Sequence, residues 1–302
     1  MNENKYKIED TLIVINSSNR VDKIKTHDKF PKGITNWVYA VPHDQYESYE
    51  DVLGREHTYP IPPTVAQFLP SQRQHCMEYF GQVYKYIFFM DDDLTFLKRK
   101  VVETEDVDLY GKNVKKYRCK KAKKKDVLNM IWDVRTALDE FHMVGVSTRL
   151  GNNRVTEPHA DTNRVTRCYA LSAESFKAVG AVFNPFEPFV AEDFHMTLCY
   201  LNAGYNNRVL YNYAQEDVGS NAEGGCSEYR TLEVQNRTAE WMNEHHKEVT
   251  LKAKESANWK GMEDGMKGNK IFRNDMIIGW KKAYKPIKKR VDNGWGAKFS
   301  KK

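Results

Sequence analysis

The chain has 302 residues, enough for one large α/β domain with an appendage or for two small domains. Apolar residues make up 40% and aromatics 12%, which excludes a disordered chain, and no run approaches the roughly 18 uninterrupted apolar residues of a membrane span. The net charge of +6 is unevenly spread: residues 98–126 carry twelve basic against five acidic residues and 267–302 carry twelve against two, so a body of net −11 bears two basic segments.

Such asymmetry favours a polyanionic partner, nucleic acid first and an anionic membrane surface second; solvated lysine runs are the plain alternative. The polar start Met1-Asn-Glu-Asn-Lys5 is neither a signal peptide nor an anchor. Five scattered cysteines without a Cys-X-X-Cys pair suit reduced thiols, not a disulfide frame or a zinc knuckle. The expectation is a soluble, cytoplasmic protein.

Thr11-Leu-Ile-Val-Ile15 predicts a buried first strand, and Asn16-Ser-Ser-Asn-Arg20 the polar turn after it. In a doubly wound sheet that turn meets a nucleotide, although an ordinary polar turn explains it as well. Trp37-Val-Tyr-Ala-Val41 predicts the second strand. Residues 45–70, rich in Tyr, Pro and acids and without a period, predict a long irregular connection with one short helix. Ser71 is a candidate cap for a helix running to about Tyr84, with Gln72 and Arg73 in its first turn.

Tyr86 to Met90 has the length and composition of a buried central strand, and it stops at Asp91-Asp92-Asp93. Three adjacent carboxylates do not serve packing, because like charges repel and a buried unpaired carboxylate costs several kcal/mol. A divalent cation would remove that cost. With strand alternation carried through the triplet, Asp91 and Asp93 face one way and Asp92 the other, so the first and third can share a metal or a metal-bound ligand. Open α/β sheets take ligands beyond the carboxyl ends of their strands. A solvated acidic turn is the alternative.

Residues 98–126 then interrupt the α/β rhythm, with nine basic residues and no acid from Lys112 to Lys125. Lys115, Lys116, Arg118, Lys120 and Lys121, with Tyr110 and Tyr117 nearby, suit phosphates and unstacked bases, or form a mobile loop without a partner. Leu128, Ile131, Leu138 and Phe141 mark an amphipathic helix, His142 to Ser147 a strand, Thr148 to Arg164 a polar loop or hairpin, and Arg167 to Leu171 a short strand. A short helix from Ser175 to Val179 ends at Gly180. Glu192 and Asp193 open a helix through Leu201, a position where the helix dipole stabilises acids whatever their chemistry. His195 reads equally as a metal ligand or an ordinary helix residue.

Arg208 to Tyr213 predicts a last strand. Gly224-Gly225 permits close backbone approach, and Ser227 and Arg230 can meet a phosphate or sugar, with a flexible surface loop as the alternative. Residues 233–256 read as a polar closing helix. The tail, in which Trp280 and Tyr284 stand among lysines including Lys285, Lys288 and Lys289, suits an anionic surface.

Phe88-Phe-Met-Asp-Asp-Asp93 resembles the Asp-X-Asp element of GT-A fold glycosyltransferases. The polar loop after the first strand, the Glu-Asp helix and the late Gly-Gly loop follow that family's order, and the resemblance covers about residues 10–230. It implies a GT-A fold, α/β with a Rossmann-like mixed central sheet flanked by helices. The catalytic domain would span 1–230 with the basic insertion at about 98–126, and 231–302 would form a helical and basic extension. It implies transfer of a sugar from a nucleotide-sugar donor, a UDP-sugar foremost, to a hydroxyl. Asp91 and Asp93 would hold Mn or Mg. Ser17, Asn19, Arg20, Arg73, Asp91, Asp92, Gly224, Gly225, Ser227 and Arg230 would meet the donor, and Asp193, with Glu192 as fallback, would be the general base where the transfer inverts. A third metal ligand has no clear counterpart, since His245 and His246 lie on a polar helix.

Glu192-Asp-Phe-His195 and Gly224-Gly-Cys-Ser-Glu-Tyr-Arg230 are similar to the glycosyltransferases that modify hydroxymethylated bases in DNA, found in bacteriophages and associated with base-oxidising systems. That similarity implies duplex DNA carrying 5-hydroxymethylcytosine or a related base, flipped out for reaction, with the basic segments on its phosphates and the host cell cytoplasm as location if a phage encodes the chain. The alternatives are a transferase acting on a surface glycan or protein, and a nucleic-acid-binding protein without enzymatic activity.

Overall fold

The computed structural model describes residues 8–102, 116–152, 155–217, 225–256, 271–286, 290–292 and 297–299. Its frame is a ten-stranded sheet. The first half of the chain supplies β1 (Thr11–Asn16), β2 (Trp37–Pro42), α1 (Tyr46–Leu53), β3 (Thr58–Ile61), α2 (Leu69–Phe80), β4 (Tyr86–Asp91), β5 (Thr95–Val102), β6 (Lys116–Lys121) and α3 (Lys124–Ala137). Then come β7 (Met143–Thr148), α4 (Arg149–Asn152), β8 (His159–Asp161), β9 (Cys168–Ser172), α5 (Ala173–Val179), α6 (Glu192–Asn202) and β10 (Asn207–Glu216). The last part holds α7 (Leu232–His245), β11 (Val249–Ser256), β12 (Ile271–Ile278), α8 (Trp280–Ala283), β13 (Arg290–Asp292) and β14 (Ala297–Phe299).

The spatial order is β3-β2-β1-β4-β9-β7-β10-β5-β6, with β8 also on β10. β1 pairs in parallel with β2 and β4, and β7 with β10, while β9 runs antiparallel between β4 and β7. This mixed α/β arrangement is the fold class that the strand and helix pattern predicts.

The central strands read as continuous apolar runs because both faces of the sheet are covered. Alternation divides them between two cores. Ile13, Ile15, Phe88 and Met90 pack under α1 and α3 with Tyr49, Met130 and Ile131, whereas Leu12, Val14, Ile87 and Phe89 pack under α2, α5 and α6 with Met77, Phe176 and Met196. Each such fully buried side chain contributes on the order of 1.5–3 kcal/mol. The crowding is tight at Gly145 on β7, where a Cβ would sit 2.8 Å from Val165 Cγ1. Gly145→Ala is therefore expected to cost about 1–3 kcal/mol in urea denaturation, and a neutral result would mean that Val165 yields freely.

Four sequence expectations need correction. The irregular stretch before α2 contains an edge strand, β3, in which Pro60 is tolerated because an edge leaves one side of the strand unpaired. Ser71 does not cap α2, which starts two residues earlier with Pro70 in its first turn; the Ser71 hydroxyl bonds Glu187 instead. The basic insertion is no separate loop at its ends, since β5 and β6 pair in an antiparallel ladder that extends the central sheet. The closing helix stops at His245, and Val249–Ser256 pairs with β12 as a strand. A small third core joins Phe189, Leu198 and Leu201 to Met242, Val249 and Ala283. Among the described residues no helix is long and apolar enough to cross a membrane.

Candidate active site

Register brings two polar loops together. β1 and β4 end side by side, with Asn16 opposite Asp91, so the turn after β1 faces the acidic triplet. Arg20 from that turn donates from Nη1 to Asp92 Oδ1 at 3.0 Å and from Nη2 to Asp93 Oδ2 at 2.7 Å. The Ser17 hydroxyl also donates to Asp92. Asp91 turns elsewhere: its Oδ1 accepts from Arg73 Nη2 at 2.7 Å, and Arg73 Nη1 donates to Glu192 Oε1 at 2.5 Å. Arg73 is 1% exposed and lies against the rings of Phe89 and Tyr169, 5.8 and 5.5 Å from their centroids.

The strand ends at Asp91, and alternation does not continue through the triplet. Asp92 and Asp93 share Arg20, and Asp91 stands apart on Arg73.

Glu192 and Asp193 reach the same space from the start of α6. The residue before them, Ala191, has φ +95°, a conformation that costs a non-glycine residue about 1–3 kcal/mol and persists only where its surroundings impose it. Asp193 Oδ1 accepts from the Phe194 amide at 2.8 Å, and the charges of Arg164 and Arg73 act on this carboxylate. Burial pushes Asp193 well above the usual carboxylate range, and the adjacent Glu192 charge adds to the shift. Burial likewise raises Asp91 to about 6, with Asp93 and Glu192 adding and Arg73 and Arg167 opposing. Asp92 is also raised to about 6, by burial and by its two acidic neighbours against Ser17 and Arg20.

A cleft of about 320 Å³ joins these groups. Of the residues singled out from sequence, Ser17, Arg20, Arg73, Asp91, Asp92, Asp93, Glu192, Asp193, Ser227 and Arg230 all line it. Asn19 is set beside it and donates from Nδ2 to Glu228 Oε1 at 3.3 Å. Gly225 opens the short 3-10 turn Gly225–Glu228, and Gly224 lies outside the described residues. Lys116, Arg118, Lys120 and Lys121 lie on β6, away from the cleft lining, and Lys285 donates to Asn202 Oδ1 at 2.5 Å; Lys115, Lys288 and Lys289 lie outside the described residues.

The cleft also contains residues that sequence reading did not single out, notably Arg164, Arg167, Asp217 and Tyr229. Arg167 Nη2 pairs with Asp217 Oδ2 at 3.0 Å, and the Arg164 guanidinium lies 4.4 Å from the Phe194 ring centroid. Arg164 and Arg167 were hidden because β9 is antiparallel. Its beginning, not its end, arrives at the ligand-binding edge, and the Arg167 carbonyl accepts from the Asp91 amide at 3.1 Å.

Two tests of chemical fit follow from this geometry. The triplet offers only hard oxygen donors, and burial, with the neighbouring carboxylates adding to it, disfavours the ionised forms of Asp91 and Asp92, the condition that a hard divalent cation such as Mg or Mn relieves. The buried Nε atoms of Arg20 and Arg230 have no hydrogen-bond partner, which suits an anionic ligand in the cleft, and Oδ1 of Asn16, also without one, suits a donor such as a hydroxyl.

A model of the family described as TET-Associated Glycosyltransferase matches residues 11–225. No curated protein matches the chain. Among solved structures, the crystal structure of GalNAc-T7 with UDP, GalNAc and Mn2+ aligns at 9% identity and TM-score 0.43 over 72% of this chain and 44% of its own. TarS 1-349 of S. aureus aligns at 13% and 0.42 over 77% and 65%. The 4-diphosphocytidyl-2C-methyl-D-erythritol synthase of Anaerococcus prevotii aligns at 9% and 0.36 over 63% and 80%. The chain thus spans less than half the length of GalNAc-T7.

Proposed function

We propose that this chain, which belongs to the TET-associated glycosyltransferase family, moves a sugar from a UDP-sugar to the hydroxyl of 5-hydroxymethylcytosine, or a related modified base, in duplex DNA. Glycosyltransferase activity follows from the family; donor, metal and acceptor are our reading of the cleft. The observation that carries it is the convergence of the Asp91–Asp93 triplet, the Glu192–Asp193 pair and Arg20, Arg164, Arg167 and Arg230 in one space.

Each group has a role in this reading. Asp91 and Asp93, through the oxygens not bonded to Arg73 and Arg20, hold Mn or Mg, which when bound neutralises the leaving diphosphate. Arg20 and Arg230 share that charge, and Ser17, Asn19, Arg73, Asp92, Gly224, Gly225 and Ser227 belong to the donor's surroundings. Glu192 is committed to Arg73, which leaves Asp193 as the acid free to take the proton of the acceptor hydroxyl. Its raised proton affinity suits a general base working near neutral pH.

The DNA acceptor is favoured by the ladder between β5 and β6. Lys98 stands opposite Lys120 and Lys100 opposite Arg118, so four cations share one face of the ladder, of which Lys98 is paired with Asp126 at 2.7 Å. Like charges directly opposite one another destabilise a strand pair, and a polyanion reverses that penalty. Replacing Arg118 and Lys120 together by glutamine is expected to flatten the plot of log affinity against log salt by about 2, since each phosphate contact contributes roughly 0.9 to the slope. An unchanged slope would remove this face from the interface. Lys115, Lys116, Lys121, Lys285, Lys288 and Lys289 are the further candidates for phosphate contact.

The deciding experiment is turnover of a panel of UDP-sugars with Mn, with and without duplex DNA carrying 5-hydroxymethylcytosine, repeated with Asp93→Ala. The expected result is metal-dependent transfer only with the modified DNA, lost in the variant. Donor hydrolysis without transfer to DNA would move the acceptor to a glycan or protein, and DNA binding without any turnover would leave a binding protein.

A further inference from the structure

A second cluster of ligating side chains lies on α6 beyond the acidic pair, outside the cleft lining. His195 and Cys199 are four residues apart and share one face of the helix. His246, which closes α7, meets them. His195 Nδ1 and His246 Nε2 are 2.8 Å apart, Cys199 Sγ lies 3.7 and 3.6 Å from Nδ1 and Nε2 of His195, and the three ligating atoms all lie within 4.8 Å of one another. Both histidines are buried and Cys199 is partly exposed. Phe189 and Trp241 wall the cluster, edge-on to His195 at 5.8 and 5.2 Å.

We propose that His195, Cys199 and His246 bind a zinc ion that clamps α6 to the segment joining α7 and β11. Tetrahedral zinc, with nitrogen at about 2.0–2.1 Å and sulfur at about 2.3 Å, sets its ligand atoms roughly 3.3–3.7 Å apart. The Cys199–His195 separations fall in that range, and the two imidazoles need to part by only about half an ångström from their hydrogen bond. A thiolate with two imidazoles selects zinc over the hard cations suited to the acidic triplet.

The surroundings fit a bound cation as well. The Val182 backbone carbonyl acts on the His195 ring from outside the cluster, in the position of an outer partner to a metal-bound imidazole. Glu248, two residues after His246, is 8% exposed; its Oε2 accepts from Asn202 Nδ2 at 3.4 Å and its Oε1 pairs with Lys285 Nζ at 4.0 Å. The Cys199 thiolate offsets one of the two positive charges of the ion. Water completes the coordination from the exposed side of Cys199. Without a metal, two imidazoles are buried for one hydrogen bond between them and a weak contact with the Cys199 thiol, where apolar side chains would pack at lower cost.

The test is titration of the metal-stripped full chain with cobalt, followed optically, and then with zinc. The expected result is one cobalt per chain with a thiolate-to-cobalt charge-transfer band and strong tetrahedral ligand-field bands, displaced by zinc, and a zinc-dependent rise in melting temperature. Cys199→Ser should abolish the charge-transfer band. His246→Ala should weaken binding by more than the roughly 10–100-fold that loss of an outer partner costs. Asp93→Ala should leave the band unchanged, which separates this ion from any at the acidic triplet. Absence of the band in the unaltered chain, its persistence in Cys199→Ser, or unaltered affinity in His246→Ala would overturn the proposal.

Discussion

Arg73→Met is expected to lower the stability of the protein by about 3–5 kcal/mol, a fall in melting temperature on the order of 10 °C. Arg73 neutralises two acids at once, Asp91 at 2.7 Å and Glu192 at 2.5 Å, and it does so while 1% exposed. Methionine keeps most of the packing against Phe89 and Tyr169 but leaves two carboxylates without their counter-charge. Removing one partner from a buried ion pair is costly because the charge left behind is desolvated and unpaired. The double variant Arg73→Met with Glu192→Gln should recover part of the loss, since one of the stranded charges is gone. Thermal melting of the three proteins checks this; a single variant within about 1 kcal/mol of the parent would mean that solvent, not Arg73, neutralises the acids.

Asp193→Asn is expected to reduce transfer by about 10²–10⁴-fold, the range for loss of a positioned general base, with the fold unharmed or firmer. The amide can still accept from the Phe194 N–H, so the helix start is kept. The sign of the stability effect follows from the raised proton affinity of Asp193. A carboxyl that holds its proton more tightly folded than unfolded stabilises the protein below the unfolded value of roughly 4 and loses that contribution as pH rises through the folded value. At neutral pH the ionised group is therefore a burden, and the neutral amide relieves it. The same direction sets the pH profile of the unaltered enzyme, because the base works only when deprotonated. Its rate should fall as pH drops through a value well above 4, and that acidic limb should vanish from the residual activity of the variant. Full activity in Asp193→Asn would transfer the role of base to another group.

The burial of Asp193 and the strained backbone at Ala191 belong together. A protein optimised for stability alone would place neither a crowded acid pair nor a non-glycine residue at φ +95° at a helix start. Their coincidence at the cleft is what the proposed role of Asp193 would require.

Much of this was legible in the linear chain. Thr11–Asn16 and Tyr86–Asp91 are β-branched and aromatic runs buried on both faces, and such runs have few alternatives to a central strand. The acids at the end of one strand and the start of α6 stand out because unpaired carboxylates next to apolar runs are expensive without a purpose. What the sequence left open depends on pairing between distant segments. Val249–Ser256 is polar enough to pass for helix, and only its pairing with Ile271–Ile278 makes it a strand. Thr58–Ile61 is too short and too rich in proline and tyrosine to announce an edge.

Sequence by itself determined that this is an α/β chain with an acidic site and basic flanks, because those properties are written in local composition and period. Tertiary structure alone decided which arginine neutralises which acid, that an antiparallel strand delivers Arg164 and Arg167 to the cleft, and that His195, Cys199 and His246 converge. Most of these contacts join residues far apart in the chain, such as Arg20 with Asp92 and His195 with His246, and no periodicity encodes a distance that exists only after the sheet has formed.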